Sequence, residues 1–167
     1  MDLLVSVTPE GAMLDWGDGS RRCAIGPAGI AAKSAEGDGV TPRGTFPLRQ
    51  IFYRADRISK PVSILPVRTT EPDDGWCDAP ANSNYNRPVK LPYPAGAEHL
   101  WRDDSLYDLV AVVGFNDDPV MPGKGSAIFL HLAKPDYLPT AGCVALSEAD
   151  LRAALAQLRP GDKIHIG

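Results

Sequence analysis

Short apolar runs recur along the chain, none of them long, and clusters of Gly, Pro and Asp separate them. Leu3 to Val7 reads as a strand and Thr8 to Gly11 as a turn. Ala12 to Trp16 reads as a second strand running into Asp18-Gly19, a strong hairpin signal. The chain therefore opens as a β-meander. Beyond Arg22 a small-residue stretch leads into Glu36-Gly-Asp-Gly-Val-Thr-Pro-Arg-Gly44. Glycines there supply positive φ and Pro42 fixes a turn, which predicts a shaped loop. Thr45 to Tyr53 follows as a strand with Phe46, Leu48 and Ile51 apolar, and Pro47 predicts a sheet edge.

From about Ser59 to Arg102 neither a helical nor a strand period persists, although Trp76, Tyr85, Tyr93 and Trp101 are scattered among prolines and polar residues. So long an irregular segment in a compact domain is usually a functional wall or disordered, and its aromatics favour the wall. Ser105 to Phe115 and Ala127 to Leu132 read as core strands that pair with each other. A helix is predicted from Glu148, because Ser147 and Asp150 fit a capping box and Leu151, Ala154, Leu155 and Leu158 recur at helical spacing. It stops at Arg159-Pro-Gly. Lys163 to Ile166 then closes the chain as a strand with its isoleucines on one face.

Composition narrows the class. At 167 residues the chain is long enough for one domain, 1–167, and too short for two. Sixteen glycines and sixteen prolines favour strands, turns and long loops over a helical bundle, so the fold is expected to be mainly β with one or two short helices. Seventeen basic residues against 21 acidic ones leave a net charge of −4, which argues against a nucleic-acid partner. No stretch approaches the roughly 20 apolar residues of a membrane helix. The N-terminus lacks the basic start and apolar run of a secretory signal. Three cysteines, Cys23, Cys77 and Cys143, are too few for a disulfide scaffold, and the odd number leaves one thiol to explain.

The chemistry concentrates in Ala127 to Leu146, AIFLHLAKPDYLPTAGCVAL. His131 lies on a strand, and Cys143 follows twelve residues later, after a glycine and before a helix. A loop of that length can fold back and set the thiol beside the imidazole, which raises the reactive thiolate fraction. Backbone N–H groups at Gly142 and Cys143 can then face the oxyanion of an acyl intermediate. A lone buried cysteine or strand histidine more often serves packing; the pair points to acyl transfer.

His131 followed by Thr140-Ala-Gly-Cys-Val144 resembles the strand His, loop and Ser/Thr-x-Gly-Cys motif of the L,D-transpeptidase (YkuD-like) catalytic domains of bacterial cell-wall synthesis. Asp38-Gly-Val-Thr-Pro-Arg-Gly-Thr-Phe46 is similar to the T-P-x-G-x-F segment that introduces one of that family's core strands. The resemblance implies a β-sandwich and Cys143 as nucleophile. It also implies His131 as general base and acid, and the Gly142 and Cys143 amides as oxyanion hole. Ala141 and Ala145 depart from the family pattern, and the His-to-Cys interval is shorter than usual, so the chain reads as a divergent subgroup. The implied reaction is attack on an L-to-D bond of a peptidoglycan stem peptide, after diaminopimelate or after L-Ala. The acyl group then passes to a diaminopimelate amine. Hydrolysis by an L,D-carboxypeptidase and a noncatalytic wall-binding module are the alternatives.

For substrate contacts the candidates are Thr140, Trp76, Tyr85, Asn86, Arg87, Tyr107 and Asn116, which can line a cleft or simply cover the core. Arg43, Arg49, Arg54, Arg57, Lys60 and Arg68 form a basic run that can meet stem-peptide carboxylates or remain a solvated face. His99 and His165 read as surface residues. Cys23 and Cys77 read as a disulfide if the chain is exported, or as two buried thiols. No cofactor and no metal are expected, since the histidines and cysteines form no ligand cluster. The expected form is a monomer acting on stem peptides in the periplasm or cell envelope, where that substrate lies.

Overall fold

The computed structural model describes residues 1–167. β1 (Leu3–Thr8), β2 (Gly11–Asp15) and β3 (Ser20–Arg22) form the expected meander, with Val5 opposite Leu14. β4 (Ile30–Ala31) and β5 (Thr41–Pro42) pair in parallel and bracket the loop of residues 32–40. β6 (Gly44–Tyr53) is the longest strand, and β7 (Val67–Thr69) runs parallel to its second half. β8 (Asp74–Cys77), β9 (Pro88–Lys90) and β10 (Ala97–His99) make a separate three-stranded sheet. β11 (Leu109–Val113), β12 (Phe129–Leu132), β13 (Val144–Leu146), α1 (Glu148–Gln157) and β14 (Lys163–Ile166) complete the chain.

The main sheet runs β13-β12-β11-β6-β14-β1-β2-β3, with β7 alongside β6. β6 joins its two halves. Residues Gly44 to Pro47 pair with β14, whereas Leu48 to Tyr53 pair with β11. One core of 21 residues fills the space between the halves, drawing on β1, β2, β6, β11, β12, β13, α1 and β14. The architecture is mostly β and sandwich-like. Leu151, Ala154 and Leu155 of α1 sink into that core, where burying each leucine contributes about 2 kcal/mol. Ser147 caps the helix by accepting the Asp150 N–H at 3.2 Å.

Two expectations need correction. Pro47 does not mark an edge, because β6 lies between β14 and β11. Proline is tolerated there because it is the last residue paired with β14, where the strand changes partners, and its carbonyl still accepts the Gly114 N–H at 2.8 Å. The segment 59–102 is not devoid of regular structure either. It carries β7 to β10, whose three- and four-residue lengths are too short for a period to register.

Candidate active site

β12 and β13 set the geometry. They run parallel, with Leu130 opposite Val144 and His131 opposite Ala145. Side chains alternate across a strand. Leu130, Leu132, Val144 and Leu146 therefore enter the main core, while Phe129 and Cys143 join a second cluster with Trp76 and Tyr107. His131 stands on the same face as Phe129, two residues along. The strand pairing thus brings imidazole and thiol to one face. No hydrogen bond joins them in this resting arrangement. The Cys143 thiol donates to the Ala127 carbonyl at 3.2 Å, and the Phe129 N–H donates to Sγ at 3.4 Å.

Burial governs both groups. It pushes the Cys143 thiol up to about 12, with the Glu98 carboxylate adding in the same direction and the Phe129 N–H, then Lys33, opposing. It pulls His131 down to about 4. Both are therefore neutral at pH 7. The His131 Nδ1 lies 2.8 Å from the Leu132 carbonyl, which can only accept, so Nδ1 carries the proton and Nε2 keeps its lone pair. A neutral imidazole with a free Nε2 is a base in the tautomer that proton abstraction needs. Tyr107 packs edge-on against His131 at 5.2 Å and against Phe129 at 5.7 Å, and Trp76 meets Phe129 at 5.1 Å. These rings close the site from behind.

In front, Cys143 opens onto a cleft of about 270 Å³ lined also by Lys33, Glu36, Asp78, Glu98, Tyr107 and Gly142. Two buried phenols brace two of the carboxylates: Tyr107 donates to Glu98 and Tyr85 to Glu36. The turn before Cys143 is held by Thr140. Its hydroxyl donates to the Cys143 carbonyl at 2.7 Å and accepts the Gly142 N–H at 3.0 Å. This corrects the expected oxyanion hole. The Gly142 amide is already occupied, because a threonine two residues earlier folds its hydroxyl back onto the backbone. The Cys143 N–H has no partner within the protein and remains available.

Residues 3–166 match the family model described as YkuD, L,D-transpeptidase catalytic domain. The chain belongs to the L,D-transpeptidase catalytic-domain family. This is a family of cysteine-dependent transpeptidases that act on peptidoglycan. No curated protein and no solved structure shows a significant match. No helix of this transpeptidase domain is long and apolar enough to cross a membrane.

The remaining candidates are dispersed around the transpeptidase domain. Tyr107 reaches the cleft, and Tyr85 touches it through Glu36. Trp76 is buried, and its indole N–H donates to Asn86 Oδ1 at 3.0 Å. Asn86 is buried too and uses its whole amide internally, also accepting from Ala127 N–H and donating to the Phe115 and Asn116 carbonyls. Asn116 bonds Met121 and Gly125 within its own loop. Arg87 lies in a different depression, of about 240 Å³, with Arg49 and Asp117. None of the basic run lines the Cys143 cleft: Arg49 pairs with Asp117, Arg54 with Asp56, Arg57 with Asp108 and Arg68 with Asp74. His165 bridges Thr45 and Asp2 at the surface, and all three cysteines are unpaired. Sequence reasoning missed Lys33, Glu36, Asp78 and Glu98. Of these, Lys33 and Glu36 border the Gly-rich loop before Thr41-Pro42, the one local signal that pointed toward them.

Proposed function

We propose that the protein is a peptidoglycan L,D-transpeptidase, with Cys143 as nucleophile and His131 as its base. What carries the reading is the Cys143 thiol at the mouth of a cleft, on the same sheet face as an imidazole whose Nε2 is free. For attack, Sγ leaves the Ala127 carbonyl and turns toward His131 on the same sheet face. Nε2 takes the thiol proton as Sγ attacks the carbonyl at an L-to-D bond, and the imidazolium then protonates the departing D-amine. Burial of both groups makes a standing ion pair costly, so proton transfer accompanies attack.

An amine then opens the thioester. Glu36, Asp78 and Glu98 on the cleft wall suit an ammonium acceptor such as the diaminopimelate side chain, and they favour transfer over hydrolysis. A stem-peptide substrate puts the site of action in the cell envelope. The test is mass spectrometry of products from wild type and Cys143→Ala with purified disaccharide tripeptide, tetrapeptide and pentapeptide. Cross-linked dimers made only by wild type are expected, and fragmentation assigns the donor bond. Shortened monomers alone would replace transpeptidation with hydrolysis. Unchanged substrates that still bind would leave a wall-binding module.

A further inference from the structure

With the Gly142 N–H occupied by Thr140, Cys143 N–H is left as the one amide of the original pair free to meet an anion. Lys33 stands against the same turn: a Cβ built on Gly142 would lie 3.6 Å from its Nζ. The ammonium donates to Asp38 Oδ1 at 2.6 Å and to the Val40 carbonyl at 3.2 Å. It has three N–H donors, so one is uncommitted. Only 4% of the side chain is exposed, and it lines the cleft onto which Cys143 opens. Asp38 is locked in turn. Burial alone would raise its pKa, yet Lys33 and the N–H groups of Val40, Ser34 and Ala35 hold its carboxyl well below the usual range. The lysine is therefore held in place by its partners.

We propose that Lys33 is the cation that stabilises the negative charge passing from Cys143 Sγ to the acyl oxygen during acyl transfer. The Sγ proton goes to His131 Nε2, the S–C bond forms, and the carbonyl π pair moves onto oxygen. That pair then re-forms the carbonyl as the C–N bond breaks and the amine takes the proton from His131. Lys33 stays protonated throughout. The groups that line the cleft with Cys143 favour such a cation. Glu98 of β10, Glu36 of the loop before β5 and Asp78 after β8 are acidic. Tyr107 before β11 is neutral, and so is His131 of β12, which packs against Tyr107 rather than lining the cleft. Lys33 is the one Lys or Arg that lines the cleft. A fixed charge in a partly dry site acts far more strongly than one in water.

The inference rests on Cys143 being the nucleophile, and its test separates the two. Alkylation of Cys143 by iodoacetamide, located by peptide mass, is followed against pH in wild type, Lys33→Gln and Lys33→Arg. The same proteins are timed for thioester formation with disaccharide tetrapeptide. Gln keeps a donor for Asp38 while removing the charge, and Lys33→Gln combined with Asp38→Asn gives a neutral pair if the single variant misfolds. The expected result is an alkylation profile displaced upward by about one pH unit in Lys33→Gln, hence about tenfold slower near neutrality. Acylation should slow by more, and Lys33→Arg should recover most of both. Wild-type profiles in folded Lys33→Gln or in the double variant would overturn the role of Lys33. A wild-type Cys143 that alkylates but forms no thioester would overturn the transpeptidase reading instead.

Discussion

At the scale of single residues, the site turns on the backbone around Cys143. Gly142 adopts φ +141°, and a Cβ there would approach the Val40 carbonyl oxygen to 2.8 Å. The Thr140–Cys143 turn and the Asp38–Val40 loop touch because nothing projects between them. Gly142→Ala should therefore lose about 2–4 kcal/mol through strain and collision. Urea unfolding would give that number, and Cys143 alkylation should change with it, since Lys33 and Val40 must retreat. The Gly-Cys pair and His131 were visible in the sequence because their residue types are chemically distinctive. Occupation of the Gly142 amide by Thr140 was not, because a hydroxyl has no fixed partner until the turn has closed.

Among the elements, the small β10-β8-β9 sheet forms the wall of the site, and Asn86 ties it down. Its amide accepts from Trp76 Nε1 at 3.0 Å and from Ala127 N at 3.1 Å, and it donates to the Phe115 and Asn116 carbonyls at 3.0 and 2.8 Å. One side chain thus joins β8, the residues after β11 and the residues before β12. Asn86→Ala should cost about 3 kcal/mol, because two buried and two half-buried groups lose their partner together. A lowered urea midpoint with a shifted Trp76 fluorescence would register it, and an unchanged midpoint would contradict it. The aromatics of 59–102 suggested a wall, yet Trp76 and Tyr85 are buried, the segment reaches the cleft through Asp78 and Glu98, and Asn86 looked like a ligand contact. A polar side chain among prolines reads alike whether it faces substrate or neighbouring backbone.

Across the whole molecule, burial of the second cluster sets an acid limit to stability. His131 has its pKa lowered to about 4 by burial, against about 6.5 when unfolded. Below 6.5 the unfolded chain therefore binds a proton that the folded chain refuses. Stability is fully present above pH 6.5 and falls as pH drops toward 4, by about 3 kcal/mol from this group. Thermal unfolding of wild type and His131→Gln from pH 7.5 to 4 should show a shallower slope in the variant; equal slopes would exclude His131 as the cause. What the sequence determined by itself was local. The meander, the paired strands β11 and β12, the capped helix and the His131 to Cys143 interval all follow from periodicity, turn chemistry and residue type within a few positions. Tertiary structure alone decided that β6 is a central strand shared by two halves, and that Lys33, Glu36, Asp78 and Glu98 line one cleft with Cys143. Those residues lie up to 110 positions from Cys143. Their meeting depends on chain closure and packing rather than on any local preference, so no pattern within a short window carries it.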